Sequence, residues 1–175
     1  MEKQHPDLNF KVLTLLFNMH ILSRGDSMLI STKRPAATAV VIGAAMAPLM
    51  KGKVNFYQEP GGVLVEVQVS GLPKNESGFY GFHIHEGASC SGAEFSATGS
   101  HLDFLDRPHP NHIGDLPPLL SYGGRAYLAV VTDRFSVPEI IGRTVVIHNR
   151  ADDFYTQPAG NAGDKIACGL IRRMR

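Results

Sequence analysis

Histidine is the residue type in this chain whose number and spacing point most directly to chemistry. The sequence contains eight histidines, and six of them follow residue 34 as a pair, a group of three and a single residue. His83 and His85 stand two positions apart in an apolar segment, so a β-strand there would direct both imidazoles to the same face. The spacing predicts a chelating pair for one metal ion.

The other four histidines can complete two metal sites. His148 ends another apolar segment and can supply a third imidazole to the ion bound by the strand pair. His101, His109 and His112 lie together in a long stretch without periodicity, and Asp115 follows three residues later. Such a loop can fold its side chains around a second ion, and three nitrogens with one carboxylate oxygen suit zinc.

Each histidine also has a simpler interpretation. A single histidine on a strand is more often a hydrogen-bonded core or surface residue than a metal ligand, and an H-x-H pattern alone is weak evidence of a site. The combination of a strand pair, a strand end and a loop group in one short sequence is far more specific. It favours a metal centre over scattered structural histidines.

The elements that must position these residues are predicted to be β-strands. Apolar runs alternate with turns, and the period of the apolar residues is close to two. The segment 63–69 is the clearest, since four valines alternate with other residues after the turn Pro60-Gly61-Gly62. We predict an all-β sandwich or barrel. The predicted strands are 38–42, 53–58, 63–69, 79–85, 125–132, 144–149 and 166–171.

Two long stretches without periodicity lie between these strands, at residues 86–122 and 150–164. Loops longer than about 12 to 15 residues are uncommon in compact domains unless they carry a function. Both stretches are therefore predicted to be functional loops, and the first of them contains the group of three histidines.

Length, composition and charge describe one globular domain. The chain has 175 residues, of which 43% are hydrophobic, and this is enough to bury one core. Its formal net charge of +1 indicates neither a nucleic-acid partner nor a membrane surface. Cys90 and Cys168 can form one disulfide or remain two buried thiols, and their number does not decide between these states.

The first 34 residues differ from the rest. Their apolar run, residues 12–22, is interrupted by Asn18 and His20, and no small-residue cleavage site follows it, so we predict no signal peptide. We expect residues 1–34 to be a disordered or non-native extension, with Met28 as an alternative start, and residues 35–175 to form the domain. The sequence leaves a cytoplasmic and an exported location open.

Four motifs of this chain resemble those of the copper/zinc superoxide dismutase family. They occur in the family's order and approximate spacing, and the resemblance extends from Pro35 to Ile171. It implies an eight-stranded Greek-key barrel, an immunoglobulin-like sandwich with two long functional loops. The motifs are Gly81-Phe82-His83-Ile84-His85-Glu86-Gly87, His112-Ile113-Gly114-Asp115-Leu116, Ile141-Gly142-Arg143-Thr144-Val145-Val146-Ile147-His148 and Gly160-Asn161-Ala162-Gly163.

The resemblance also implies a complete ligand set for one copper and one zinc ion. His101 would belong to both sites as an imidazolate between two cations. Asp152 would hydrogen-bond one histidine of each site, and Cys90 and Cys168 would form a disulfide. The implied copper ligands are His83, His85, His101 and His148, and the implied zinc ligands are His101, His109, His112 and Asp115.

The activity implied by the resemblance is the dismutation of superoxide. Two superoxide anions and two protons would give dioxygen and hydrogen peroxide while copper cycles between Cu(II) and Cu(I), and zinc would be structural. His101 would also be catalytic, by giving a proton to the departing peroxide. The family resemblance suggests a homodimer through a barrel face, and the sequence does not choose the face.

One position departs from the family's pattern. Lys165 stands where the family has an arginine beside the copper, and Asp164 precedes it. Lysine keeps the charge that guides a small anion but lacks the planar donor set of arginine. The loop 150–164 is also shorter than in the family and lacks its charged steering cluster. We therefore expect Lys165 to act in catalysis, with activity that is salt-sensitive and below the family's best.

Three alternative functions stay open on the sequence alone. A non-catalytic domain of the same family would bind copper and zinc without turnover, although the full ligand set favours an enzyme. A three-histidine zinc hydrolase would need a proton-relay group and a substrate pocket, and the sequence identifies neither. A purely structural domain would use the metal only to stabilise its fold.

Overall fold

Residues 33–175 are described by the computed structural model of the chain. Of the predicted extension, residues 1–34, only Lys33 and Arg34 are included, and the rest of that prediction lies outside the described residues. The ammonium nitrogen of Lys33 lies 2.9 Å from a carboxylate oxygen of Glu59.

Alternation of inward and outward side chains produces the strands, as the sequence predicts. In the third strand the valines at alternate positions from Val63 to Val69 are buried in the core. Each of the predicted strand segments corresponds to an observed strand or pair of strands. The strands are β1 Ala37–Gly43, β2 Lys51–Glu59, β3 Gly62–Ser70, β4 Phe79–Tyr80, β5 Phe82–His85, β6 Leu119–Leu120, β7 Arg125–Thr132, β8 Thr144–His148 and β9 Lys165–Arg173.

The strands build an antiparallel sheet that curls on itself. Its order is β5-β8-β9-β1-β2-β3-β7, and a separate short ladder joins β4 to β6. Just after β6, Tyr122 pairs with Arg125 at the start of β7. Because β4 directly precedes β5, this ladder connects the two edges of the large sheet. The prediction of an all-β Greek-key barrel is confirmed.

The strands β4 and β5 are two halves of one bent strand. Only Gly81 separates them, and together they match the predicted segment 79–85. A side chain has no room at this bend, because a Cβ on Gly81 would lie 2.8 Å from the Cβ of Ala162 and 3.3 Å from that of His148. Counting β4 and β5 as one strand reduces the nine observed strands to the predicted eight.

Three short elements were not predicted from the sequence, and one of them is a six-residue 3-10 helix, Ala93–Thr98, in the first long loop. The strand β6 has two residues and the helix α1, Val137–Ile140, has four, so neither is long enough to display a period. The helix did carry a readable signature, since Ser136 and Glu139 have capping-box spacing and the Glu139 carboxylate accepts hydrogen bonds from the Ser136 N–H and hydroxyl. Within residues 33–175, no helix has the length and apolar character to cross a membrane.

A disulfide ties the first long loop to the last strand. Cys90 and Cys168 are bonded, with their Cα atoms 5.8 Å apart, which confirms the pairing implied by the family resemblance. The bond closes a segment with a sequence separation of 78 residues. Such a link contributes roughly 4 to 5 kcal/mol to stability in the chain-entropy description. It restrains the loop that carries His101.

Candidate metal centre

Strand β5 supplies the first two histidines of the site. Ile84 points into the apolar core, so His83 and His85 point to the opposite face, as the period of two requires. Both histidines are buried, and their ring centroids lie 6.3 Å apart. The predicted strand pair therefore lies beneath a cover of protein rather than on an open surface.

The first long loop is fastened to β5 by backbone hydrogen bonds. Ile84 donates its N–H to the carbonyl of Gly114 at 2.9 Å and accepts the N–H of Leu102 at 2.8 Å. His101 and Asp115 are the neighbours of these loop residues, so the pairing brings both beside the strand histidines. The bridged pairs are His85 with His101 and His83 with Asp115.

The end of strand β8 brings the third strand histidine to the same place. The pairing of β8 with β9 shifts register between Ile147 and His148. The N–H of His148 then donates to the carbonyl of Gly81 at 2.8 Å. Its Nε2 atom lies 3.3 Å from the Nε2 atom of His85, so both nitrogens face one small volume.

Backbone carbonyls determine which nitrogen of two histidines is free to bind an ion. His85 Nδ1 lies 2.9 Å from the carbonyl oxygen of Gly99, and His148 Nδ1 lies 3.0 Å from that of Gly163. A carbonyl oxygen only accepts, so each Nδ1 carries the proton and each Nε2 keeps its lone pair. These contacts aim both Nε2 atoms into the cluster.

Asp152 joins the two histidine groups from the second long loop. Its Oδ2 atom lies 2.7 Å from His83 Nε2, and its Oδ1 atom lies 2.9 Å from His109 Nε2. Burial by itself would raise the pKa of Asp152. Hydrogen bonds from His83, the Phe154 N–H and His109 outweigh that effect and lower the pKa to about 2. Asp152 is thus a carboxylate that orients one histidine of each group.

Asp115 is the centre of the second group. Its Oδ1 atom lies 2.7 Å from His101 Nδ1, and its Oδ2 atom lies 3.1 Å from His109 Nδ1 and 3.2 Å from His112 Nδ1. Burial would raise the pKa of Asp115, but the hydrogen bond from His101 and the nearby histidines lower it below its usual value. Three imidazole nitrogens and a carboxylate thus converge on one point.

The seven predicted ligands come together in two clusters that share His101. Within each cluster the candidate ligand atoms lie within 4.8 Å of one another. Four of the nitrogens are buried without a hydrogen-bond partner among the described residues, namely His83 Nδ1, His101 Nε2, His109 Nδ1 and His112 Nδ1. The group predicted to bind copper is called the copper cluster, and the group predicted to bind zinc is called the zinc cluster. They are His83, His85, His101 and His148, and His101, His109, His112 and Asp115.

These unpartnered nitrogens fit bound metal ions. Leaving a buried polar atom without a partner costs roughly 1 to 3 kcal/mol, and coordination of a cation removes that cost. Four nitrogens suit copper, whereas three nitrogens and one oxygen suit zinc. The donor sets of the two clusters therefore match the two ions that the sequence predicts.

Burial keeps the strand histidines in the form that binds metal. Removal from water is the largest cause in each case, and it lowers the pKa of His83 to about 4 and that of His148 to about 3. The pKa of His85 falls well below its usual value for the same reason. A neutral imidazole offers its lone pair, so protons do not compete with a metal at neutral pH.

Lys165 lies at the edge of the copper cluster. Its ammonium donates to the Thr98 hydroxyl and to the Gly99 carbonyl, both at 2.8 Å. The Gly99 carbonyl also accepts a hydrogen bond from His85 Nδ1, so one backbone oxygen contacts both the Lys165 ammonium and a histidine of the copper cluster. Partial burial lowers the pKa of Lys165. The neighbouring Asp164 carboxylate accepts a hydrogen bond from the Asn149 side chain at 2.8 Å.

Several residues around the site were not predicted from the sequence. Gly99 and Gly163 act through their carbonyl oxygens, which any residue possesses. Gln157 hydrogen-bonds the backbone of His109, and the guanidinium of Arg134 donates to the carbonyls of Pro110 and His112. No motif marks such contacts, because they join side chains to backbone groups far away in the sequence.

Comparisons with known proteins agree on one family. The sequence model described as copper/zinc superoxide dismutase (SODC) matches residues 50–171. A superoxide dismutase (Cu-Zn) of Legionella pneumophila is 34% identical over 143 residues, covering 77% of this chain and 86% of that protein. One from Deinococcus radiodurans is also 34% identical, over 142 residues, covering 69% of this chain and 76% of that protein. A third, superoxide dismutase (Cu-Zn) 2 of Aquifex aeolicus, is 32% identical over 136 residues.

The lowered histidine pKa values predict that the metal-free protein loses stability in mild acid. Unfolded histidines bind protons near pH 6.5, whereas folded His83 and His148 do so only near 4 and 3. Between these values the unfolded state binds more protons, so the free energy of unfolding falls as the pH falls. Between pH 7.5 and pH 5.0 the loss should be about 2 kcal/mol for each histidine.

Urea unfolding of the chelator-treated protein at pH 7.5 and pH 5.0 measures this loss. A variant with His83→Asn and His148→Asn lacks two of the three strand histidines whose pKa is lowered and should have a flatter pH dependence. Equal stability of the unsubstituted protein at the two pH values would contradict the prediction.

Proposed function

Because the chain belongs to the copper/zinc superoxide dismutase family, we propose that it is an enzyme that converts superoxide to dioxygen and hydrogen peroxide. The observation that carries the proposal is the pair of complete clusters that share His101. When bound, copper supplies one-electron chemistry by cycling between Cu(II) and Cu(I), and zinc supplies positive charge without redox chemistry. A copper and a zinc ion per chain are the cofactors of this family.

For four of the six histidines the proposed coordinating atom follows from a hydrogen bond of the ring. For His101 and His112 it follows from the Nδ1 atoms that face Asp115 and from the buried, unpartnered Nε2 atom of His101. Histidine nitrogens that hydrogen-bond a carbonyl or Asp152 are occupied, and the opposite nitrogens remain. We assign to copper His83 Nδ1, His85 Nε2, His101 Nε2 and His148 Nε2, and to zinc His101 Nδ1, His109 Nδ1, His112 Nδ1 and a carboxylate oxygen of Asp115. Asp152 holds one ring of each site in place, as second contacts of metal-binding histidines do.

His101 is proposed to handle a proton as well as to bind metal. Its Nδ1 atom faces Asp115 and its Nε2 atom faces the copper cluster, so the ring loses both protons when both sites are filled. If its Nε2 atom were not coordinated, His101 could take up a proton there and pass it to the product as a general acid. The reaction consumes two protons for two superoxide anions, and this ring supports the delivery of one.

Lys165 is proposed to guide the anionic substrate. Hydrogen bonds to Thr98 and Gly99 hold its ammonium beside the copper cluster. A fixed cation at a charged cleft raises the rate of encounter with an anion, and salt weakens that effect. Lysine lacks the fork of donors that would orient the bound anion, which supports a rate below that of an arginine at this position.

The domain limits and the oligomeric state are also proposals. We propose that residues 35–175 form the dismutase domain and that residues 1–34 are an extension to it. A homodimer is proposed from the family resemblance. The outer face of β1 carries the exposed apolar residues Val40 and Ile42, which supports a barrel face as an interface.

Metal analysis combined with a dismutase assay tests the proposed function. The full chain loaded with both metals should contain one copper and one zinc ion per chain and should accelerate the decay of superoxide. Zinc alone should give no activity, because zinc has no redox chemistry. His85→Ala should lose copper and activity but keep zinc, whereas His112→Ala should lose zinc first.

Binding of both ions without faster superoxide decay would contradict the proposal. That outcome would support the alternative of a non-catalytic copper- and zinc-binding domain. Activity of the zinc-only protein would contradict the assigned role of copper.

Substitution of Lys165 tests its role in guidance. Lys165→Ala should lower kcat/KM about 10-fold at low ionic strength and flatten its decline with added salt, because the guiding charge is gone. Lys165→Arg should keep the salt dependence and raise the rate. Lys53, exposed on β2, provides the matched control, and Lys53→Ala should change neither quantity. Copper content is measured for each variant, and an unchanged rate in Lys165→Ala at equal copper would refute the role.

A further inference from the structure

The side chain of Gln157 contacts the backbone of His109 at both of its polar groups. Gln157 Oε1 accepts the N–H of His109 at 3.0 Å, and Gln157 Nε2 donates to the carbonyl of His109 at 2.7 Å. The two residues are 48 positions apart. A single amide side chain thus makes the two hydrogen bonds that a neighbouring strand would make, and it joins the second long loop to the first.

The same loop also holds the ring of His109. Asp152 Oδ1 lies 2.9 Å from His109 Nε2, so His109 is fixed at its N–H, its carbonyl and its outer ring nitrogen by one segment. The free Nδ1 atom is left facing Asp115, 3.1 Å from its Oδ2 atom. His109 is buried, with 3% of its surface exposed, so water cannot readily replace these partners.

The segment that presents Gln157 is closed by its own hydrogen bonds. The Asp153 carboxylate accepts the backbone N–H groups of Tyr155 and Thr156 and the Thr156 hydroxyl. The carbonyl of Thr156 accepts the N–H of Gly160 at 2.7 Å, and the carbonyl of Gly160 accepts that of Asp153 at 2.9 Å. Gln157 therefore stands on a short, internally bonded turn.

Close packing fixes this turn against the zinc cluster. Gly160 has a φ of +62°, and a Cβ there would lie 2.1 Å from Asp152 Oδ1 and 2.6 Å from His109 Nε2. The loop thus approaches the Asp152–His109 contact as closely as a backbone can. Two of its carboxylates, Asp152 and Asp153, make hydrogen bonds within the protein, so these two charges are not directed at substrate.

We propose that Gln157 is a positioning residue for the zinc ligand His109. By holding the backbone on both sides of the Cα atom, its amide orients the side chain before zinc arrives and so reduces the ordering that binding requires. The second long loop would then serve the zinc site rather than the steering of substrate. This inference rests on the proposed zinc site.

Zinc affinity of the copper-loaded protein tests this role, with competition against a zinc chelator as the measurement. Gln157→Ala should weaken zinc binding about 10-fold or more, the usual scale for groups that orient metal ligands. Gln157→Glu keeps an acceptor for the His109 N–H but has no donor for its carbonyl, so its affinity should fall as well. Tyr155→Ala is the control, because that side chain is 76% exposed and should leave zinc affinity unchanged.

Two further readouts separate positioning from a general loss of structure. Copper affinity should stay within about 2-fold of the original, because Gln157 does not contact the copper cluster. Cobalt placed in the zinc site should give an altered visible spectrum in Gln157→Ala, since the ligand geometry changes. A merely structural role would weaken both metals together.

The outcomes distinguish this inference from the proposed function. Equal zinc affinity in Gln157→Ala and the unsubstituted protein, or an equal loss for zinc and copper, overturns the positioning role and leaves the dismutase proposal intact. An unsubstituted protein that binds no zinc overturns both.

Discussion

The imidazole of His101 belongs to both clusters, so the geometry of one site constrains the other. Its Nδ1 atom lies 2.7 Å from Asp115, while its Nε2 atom faces the copper cluster. Cations held in both clusters would repel each other, and an imidazolate of His101 would supply compensating negative charge. The other contacts around the site position this ring and the histidine rings beside it.

The strands of the barrel and the long loops position different candidate ligands. The strands β5 and β8 fix the three rings that are proposed to bind only copper, because their backbone is part of the sheet. Backbone pairing with β5 also holds His101 and Asp115, whereas His109 depends on side-chain contacts from Asp152 and Gln157. The disulfide at Cys90 restrains the loop from its other side. The candidate metal site is thus held by three kinds of contact: backbone pairing in the sheet, side-chain hydrogen bonds in the loops, and the disulfide.

Sequence patterns predicted the parts of this arrangement that depend on local periodicity. The alternation around Ile84 is enough to direct His83 and His85 to one face, and the turn at Gly61 is enough to pair β2 with β3. The long-range contacts could not be predicted this way. Nothing local connects Gln157 to His109, or assigns a carbonyl such as that of Gly99 to the ring of His85, because folding creates these pairs.

The ligand assignment itself came from the family resemblance rather than from the spacing of the loop histidines. The spacing of the histidines predicts two metal sites but does not show whether one imidazole belongs to both. The structure brings His101 between the clusters, with ring centroids 3.9 Å from His83 and 5.6 Å from His112. Hydrogen bonds to backbone carbonyls and to Asp152 then leave one available nitrogen on each of four rings, those of His83, His85, His109 and His148, which the sequence could not show.

The most direct test of the shared ring is a crystal structure of the protein loaded with copper and zinc, with anomalous diffraction recorded at both absorption edges. We expect one copper peak within the copper cluster and one zinc peak within the zinc cluster, with the His101 imidazole between them in the oxidised state. Two ions of which only one contacts His101, or a single ion for both clusters, would contradict it.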